Sequence, residues 1–507
     1  MGVLDASTHL LERITFTVKI TSFHIDTPTT SQLCSNAGLM LLASTADRVG
    51  VADAIDTALG DLQKPTLVHT TGHTMTALAL SLAIGGDDAS DIDLLNPLVA
   101  TGLIDKIPSD PTIHRRHKEL HDSSESDDNS TALVNDAGTN AVLAGMNTAR
   151  TTAWAACGTR NPATTATIMN PLVIDLDATE VTSHSDKEHA RPTWKKHFGF
   201  HPLAAIIDHG QGLTGEPVSV LLRPGSAGSN TAADHITVMN QTMAALPGHT
   251  DGAPWGRRLL VRTDAAGGTK KFINHLDQQG LAYSVGLATS WLIADIASTL
   301  TEVTKQGVIG PEGTISNIDD AYVADISTKV RTLGPSATGI NIEDYPPDMR
   351  FIIRVEHAAR GAQLRTVDVD GRRIQMFVTN RKGHAQRLDE LHRARGRCEQ
   401  RIRDMKDCGL GKLPHTTFRM NQAWAHSAVL AMNLISWAQM ITAATPPAGS
   451  TPRQRWWVWE PKTLRARILS IAGVVVRHAR RLSIRFDGAA THRELLEHGL
   501  SRLRSTA

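Results

Sequence analysis

Two short apolar runs, residues 172–176 and 258–263, each stop on an aspartate, Asp177 and Asp264. Their length and β-branched content predict strands, and the Gly267-Gly268 pair after Asp264 predicts a turn. Much further along, residues 384–407 read as one long helix carrying Glu399. Strand ends and a neighbouring helix face converge at one edge of a sheet in α/β folds. A chain built this way gathers three carboxylates at that edge, and oxygen donors suit hard divalent cations such as Mg²⁺.

The expected helix can be laid out at about 100° per residue. With Glu399 at 0°, His392 falls near +20°, Arg395 near −40° and Lys406 near −20°, approximate angles that put all four on one polar stripe. Leu391, Cys398, Ile402 and Met405 form an adjacent apolar stripe suited to packing on a sheet. Asp175, two residues before Asp177 on the same strand, faces the same way and reads as a supporting or structural residue. Asp208 and His209 follow another strand and read as turn residues.

Around these landmarks the 507-residue chain divides by pattern. Residues 1–42 show no clear pattern and stay unassigned. Residues 43–121 carry helical spacing at 47–62, 71–84 and 91–104. Ser109-Asp-Pro-Thr then starts a basic helix with His114, Arg115, Arg116 and Lys118, a candidate DNA-binding domain or a solvated face. The acidic, polar residues 122–131 open a linker over 122–165. Residues 166–287 contain the two aspartate strands, a hairpin from 203–207 and 218–222, and two helices. Residues 288–382 read as a β-rich insertion, with Asp370-Gly371 as a turn. Residues 383–445 hold the glutamate helix and a long apolar segment. Residues 446–507 are Arg-rich and helical in character.

The formal net charge of +1 hides an asymmetry. From Arg350 to Ala507 there are 29 basic against 12 acidic side chains, so the last third is strongly positive and the remainder negative. That split points to a polyanionic partner. The four cysteines, Cys34, Cys157, Cys398 and Cys408, form no C-x-x-C pair, which fits a reducing cytoplasm and no disulfide framework. Asp5, Glu12 and Arg13 interrupt any signal-peptide core. His426, Asn433 and Gln439 interrupt the most apolar stretch, 423–445, which reads as a buried helix and not a membrane span.

The spacing His392-x2-Arg395-x3-Glu399-x6-Lys406 resembles the Tyr-x2-Arg-x3-Glu-x6-Lys signature of IS-four-type bacterial insertion-sequence transposases, with three of four residues matching. Asp175-Leu-Asp-Ala-Thr179 resembles that family's first-aspartate motif and Val261-Arg-Thr-Asp264-Ala-Ala-Gly its second. Phe198-Gly-Phe-His-Pro202 and Arg223-Pro-Gly-Ser-Ala-Gly-Ser-Asn-Thr-Ala-Ala-Asp234 resemble blocks of the IS-thirteen-eighty branch. The resemblance runs from about Ala43 to the C-terminus, with two departures: His392 stands where the signature has Tyr, and Gly396 lies inside the catalytic helix.

The resemblance implies an α/β fold, an RNase H-like mixed sheet flanked by helices. A β-rich insertion, an N-terminal helical domain and a helical C-terminal region would complete it. It implies a DDE transposase that cuts DNA at element ends and joins it to target DNA. Asp177, Asp264 and Glu399 would be the catalytic, metal-binding carboxylates for two Mg²⁺ (or Mn²⁺) ions, Asp177 bridging them. His392, Arg395 and Lys406 would contact DNA. Double-stranded DNA, both transposon ends and target, is the implied partner. A homodimer on DNA, no membrane, and a nucleoid-associated location in the cytoplasm follow. Two alternatives stand beside this: an inactive descendant that binds DNA without cutting, and an RNase H-like nuclease that hydrolyses without strand transfer.

Overall fold

The computed structural model describes residues 22–25, 33–120, 136–248, 254–310, 313–316, 321–358, 361, 363–368, 371–443, 455–478 and 481–505. The acidic stretch at 122–131 and Asp370 of the expected turn lie outside them.

The N-terminal helices are α1 (Met40–Val49), α2 (Val51–Leu59), α3 (Thr71–Ala83) and α4 (Asp110–Glu119). Gly50 separates the first two in the left-handed conformation, φ 62°, that glycine adopts without a Cβ penalty. Thr70 caps α3 by accepting from the His73 N–H, and Ser109 precedes α4 as its residue order predicts. The expected helix over 91–104 is instead a 3₁₀ segment, Ala89–Leu95, and a short helix, Asn96–Ala100. Pro97 explains the restart, because it lacks the N–H that would continue the ladder. Next, α5 (Ala137–Ala155) crosses α2 so closely that a Cβ on Gly145 would lie 2.4 Å from the Ile55 Cα.

The sheet begins with β1 (Leu172–Ala178), β2 (Leu203–Asp208) and β3 (Gly215–Leu221). Helix α6 (Ala232–Ala244) leads to β4 (Leu259–Thr263), and α7 (Lys270–Gln278) leads to β5 (Ala282–Leu287). Then come β6 (Gln306–Ile309), β7 (Ile315–Ser316), β8 (Tyr322–Asp325), β9 (Arg350–His357) and β10 (Arg372–Thr379). All ten form one mixed sheet in the order β7-β6-β8-β9-β10-β5-β4-β1-β2-β3. Strands β1, β4 and β5 are parallel, β2 pairs antiparallel with β1, and β3 pairs antiparallel with β2. The β-rich stretch after β5 therefore extends the main sheet, through the antiparallel β5–β10 pairing from Ser284↔Thr379 to Leu287↔Met376.

Beyond the sheet, α8 (Ala385–Arg393) and α9 (Gly396–Met405) replace the single helix expected over 384–407. Between them the backbone tightens to i→i−3 bonding: Arg395 N–H to His392 O, Arg397 N–H to Ala394 O and Cys398 N–H to Arg395 O. Gly396 sits at this joint, where its low helix propensity makes the break cheap. A π turn at Lys406–Leu410 follows.

Helix α10 (Phe418–Ala443) is buried on almost every side, the condition under which a helix is apolar all round. Several of its polar residues are paired inward. Gln422 accepts from the Leu222 N–H and donates to Val220 O, and Ser436 donates to Gly215 O. Among the described residues no helix is long and apolar enough to cross a membrane. Because α1, α3 and β3 all pack on α10, the N-terminal helices share one core with the sheet.

The C-terminal region is not the helical unit expected. Strands β11 (Gly473–His478) and β12 (Arg481–Phe486) form a hairpin, with Ser22–Ile25 pairing on β12 and Leu33–Cys34 on β11. Val474, Val475 and Val476 and the alternating Leu482, Ile484 and Phe486 favour a pleated, half-buried strand, and this outweighs the arginines at the flanks. Among the described residues of this region, only α11 (Arg493–Ser505) is a long helix.

Candidate active site

Strands β1 and β4 run parallel in register from Leu172↔Leu259 to Leu176↔Thr263. The next residue on each chain is an aspartate, so Asp177 and Asp264 emerge side by side at the carboxyl ends of two adjacent strands. Asp264 Oδ1 accepts from the Ala266 N–H at 2.9 Å and opens the turn Ala265–Gly267. Strand β5 passes this turn so closely that a Cβ on Gly286 would lie 2.7 Å from the Ala265 nitrogen. Glycine there is what lets three strand ends close around Asp264.

Helices α8 and α9 lie over the face of the sheet that carries Val173, Asp175 and Asp177. Leu391 packs on Val173, Leu260 and Ala282, while Cys398 and Ile402 pack on Ile206. The apolar stripe thus anchors the helices, and Glu399 stands beside it with its side chain 64% exposed. Arg395 links the carboxylates: Nη1 donates to Asp177 Oδ2 at 3.0 Å and Nη2 lies 3.7 Å from Glu399 Oε1. Burial lifts the Asp177 carboxyl to about 6, with Arg395 pulling down and Asp264 pushing up. Burial works against the Arg395 charge, but Asp177 and Asp264 outweigh it.

The other two stripe residues point elsewhere. The His392 ring stacks on Phe377, centroids 4.4 Å apart, and its Nδ1 meets Ser284 Oγ at 2.9 Å. Burial first, then Arg395 and Arg262, push its pKa down to about 3, so the ring is neutral. The tightened joint between α8 and α9 turns His392 toward the sheet and out of line with Glu399. Lys406 donates to Glu180 O at 2.7 Å, at the rim of the same edge.

Sequence reasoning missed a second set of charges on this face. Asp175 accepts two bonds from Arg262, both 2.7 Å, and Arg262 also reaches Asp208 at 2.9 Å and Leu391 O at 2.7 Å. Asp208 is the last residue of β2, not a free turn residue, and Arg397 clasps it with bonds of 2.6–3.2 Å. His209 Nε2 lies 3.3 Å from buried Glu216. Arg262 fastens the end of α8 and Arg397 the start of α9, so this network fixes the helix that carries Glu399. The available signal was an arginine inside an apolar strand, which must be paired if buried.

The segments 198–202 and 223–234 serve as a brace. Arg223 donates to His201 O, Gly228 O and Asp234, and Pro202 O accepts from the Thr179 N–H, two residues past Asp177.

The donor set is all oxygen, which suits a hard divalent cation. Among the described residues no three His, Cys, Asp or Glu side chains stand close enough together to hold a metal ion; a single guanidinium spans the gap between Asp177 and Glu399. The arrangement defines a class, a carboxylate site at the edge of a mixed α/β sheet flanked by helices. A family profile, the transposase DDE domain group 1, matches residues 27–507, and the chain belongs to that family of transposase DDE domains. No curated protein matches the chain in sequence.

Proposed function

We propose that this chain is the DNA transposase of an insertion sequence, of the IS-four type and closest to the IS-thirteen-eighty branch. It would cut DNA at the element ends and join them to target DNA. The observation that carries this reading is the adjacency of Asp177 and Asp264 at parallel strand ends beneath the Glu399 helix. The order β3-β2-β1-β4-β5, with β2 alone antiparallel to the other four, agrees with an RNase H-like core extended by β6–β10.

Asp177, Asp264 and Glu399 would hold two Mg²⁺ or Mn²⁺ ions once Arg395 lets go of Asp177. When bound, the ions neutralise the phosphate and activate the attacking oxygen. Arg395 has a fork that fits a phosphate as well as it fits Asp177, so DNA would compete for it. Lys406 would add a point charge at the rim. His392, held neutral against Phe377, would position Arg395 more than touch DNA. The ends would be held by a homodimer on the nucleoid, in the cytoplasm.

A second reading, a DNA-binding descendant that no longer cuts, is favoured by one observation: Arg395 stands between two of the carboxylates. One experiment separates the two. Purified protein is mixed with a plasmid carrying the DNA that flanks this gene, with and without Mg²⁺. Nicks at the element ends that need Mg²⁺ support the transposase. Binding without nicks, under Mg²⁺ and Mn²⁺ alike, supports the descendant.

A further inference from the structure

At the end of the sheet opposite the carboxylates, β1 begins and β2 ends beside the last turn of α10. These elements border a cavity of about 430 Å³. Its walls include Leu172, Val173, Leu391, Met440 and Trp457, an apolar lining on the scale of a small-molecule site. Val173 stands four residues before Asp177, about 13 Å along a strand. The cavity is therefore separate from the carboxylate edge.

Two of the lining side chains, His209 and Gln439, carry a buried polar atom with no hydrogen-bond partner among the described residues: Nδ1 and Oε1 respectively. Both atoms are acceptors. Although burial opposes its charge, Glu216 stays ionised beside Arg150. Its two oxygens accept the indole N–H groups of Trp154 and Trp437, each at 2.6 Å. An ionised carboxylate only accepts, so His209 Nε2, 3.3 Å from Oε1, carries the ring proton. The neutral ring then leaves a lone pair on Nδ1. Gln439 donates from Nε2 to Trp456 O at 3.1 Å and Trp459 O at 2.8 Å, which fixes the other end of its amide as the oxygen. The His209 side chain is 3% exposed and Gln439 is fully buried, so bulk solvent does not satisfy either acceptor. Buried polar groups in folded proteins are paired, and two lone acceptors in one lining point to a donor supplied from outside the chain.

The same lining is cationic. Arg160 is exposed and gives one N–H to Ala443 O at 2.8 Å. Arg397 gives Nε and Nη2 to Asp208, and its side chain is 39% exposed. A guanidinium has five N–H donors, so each arginine keeps some for an anion. Asp208 is the one acid among the described lining residues, and Arg262 and Arg397 already share it.

We propose that this cavity is a binding site for a small aromatic acid that carries an N–H donor. Its rings lie against the apolar walls, its N–H meets one of the two lone acceptors, and its acid group meets Arg160 and Arg397. A cavity of this size admits such a molecule and excludes a duplex.

The test uses the full chain without DNA or metal, so it stands apart from the transposase reading. Isothermal titration calorimetry compares indole-3-carboxylate with 1-benzothiophene-3-carboxylate, which has the same shape with sulfur in place of the N–H. One indole-3-carboxylate is expected per chain, bound about tenfold tighter than the benzothiophene, because only the indole satisfies a buried acceptor. Arg160→Gln weakens indole-3-carboxylate binding about tenfold, the scale of a lost charge-assisted hydrogen bond, without shifting the melting temperature. In His209→Phe or in Gln439→Met, whichever acceptor the N–H meets, the advantage of the indole falls below about twofold. A wild type that binds neither acid, as a cavity holding only water would, overturns the site. Equal affinity for the two acids, an Arg160→Gln protein that binds like the wild type, or an indole advantage that survives in both acceptor variants also overturns it.

Discussion

Two aspartates on one face of β1, two residues apart, meet arginines in opposite ways. Asp175 and Arg262 are both fully buried and joined by two bonds, with Asp208, Arg397 and the Leu391 carbonyl completing the set. Asp177 and Arg395 share one bond of 3.0 Å, and the next carboxylate, Glu399, stands 3.7 Å off and exposed. The chemistry is the same and the surroundings differ. Breaking the inner pair strands a charge away from water, which makes it a strut. The outer pair borders solvent, so a phosphate or a metal can replace either partner at small cost. The sheet therefore fixes the helix of Glu399 by the inner charges and leaves the outer ones free to change partners.

The sharpest break of this comparison comes from removing single charges. Asp177→Asn, Asp264→Asn and Glu399→Gln should each lower Mg²⁺-dependent DNA nicking by about a thousandfold, because metal stabilisation contributes several kcal/mol. Melting temperatures should change little, as read in the same preparations by thermal denaturation. Arg262→Ala should do the reverse first: unfolding in urea should show about 3–5 kcal/mol of lost stability, the cost of an uncompensated buried charge. If Arg262→Ala were as stable as the wild type, the strut assignment would be wrong.

A second strut sharpens the point. Burial opposes the charge of Glu216, but Arg150 and then His209 outweigh it and hold the carboxyl at about 2. A carboxyl lowered from its unfolded value stabilises the fold fully above that value, and the gain fades as pH falls toward the folded one. The Glu216 contribution is therefore complete above about pH 4.5 and lost progressively toward pH 2. Glu216→Gln should flatten this part of the stability profile, a change of about 3 kcal/mol across it. A smaller effect is expected of Arg395→Ala. It should cost about 1 kcal/mol of stability or less, and reduce nicking about tenfold to a hundredfold through a lost phosphate contact. A stability loss as large as that of Arg262→Ala would erase the distinction between the two pairs.

Much of this was legible in the residues. The apolar runs before Asp177 and Asp264 announce strands, and the 203–222 hairpin follows from turn glycines. The interrupted apolar stretch at 423–443 lies in the buried helix α10, where Ser427, Ser436 and Gln439 find backbone acceptors. Other features depend on partners distant in sequence. Arg262 becomes a strut only when β1, β2 and α8 surround it, and Glu216 only when α5 and α10 do. The joint between α8 and α9 shows why an ideal helical wheel misplaces His392: three tightened hydrogen bonds near Gly396 rotate one half against the other. Arginine abundance hid the β11–β12 hairpin, whose valines carry the strand signal.

The central claim is that three carboxylates from distant parts of the chain share divalent metal. The most direct measurement is Mn²⁺ binding by electron paramagnetic resonance, with the protein on DNA, for the wild type and for Asp177→Asn, Asp264→Asn and Glu399→Gln. Tight binding by the wild type, weakened about tenfold or more by each substitution, is the expected result. A wild type that binds no Mn²⁺ on DNA, or a Glu399→Gln protein that binds it unchanged, contradicts the account.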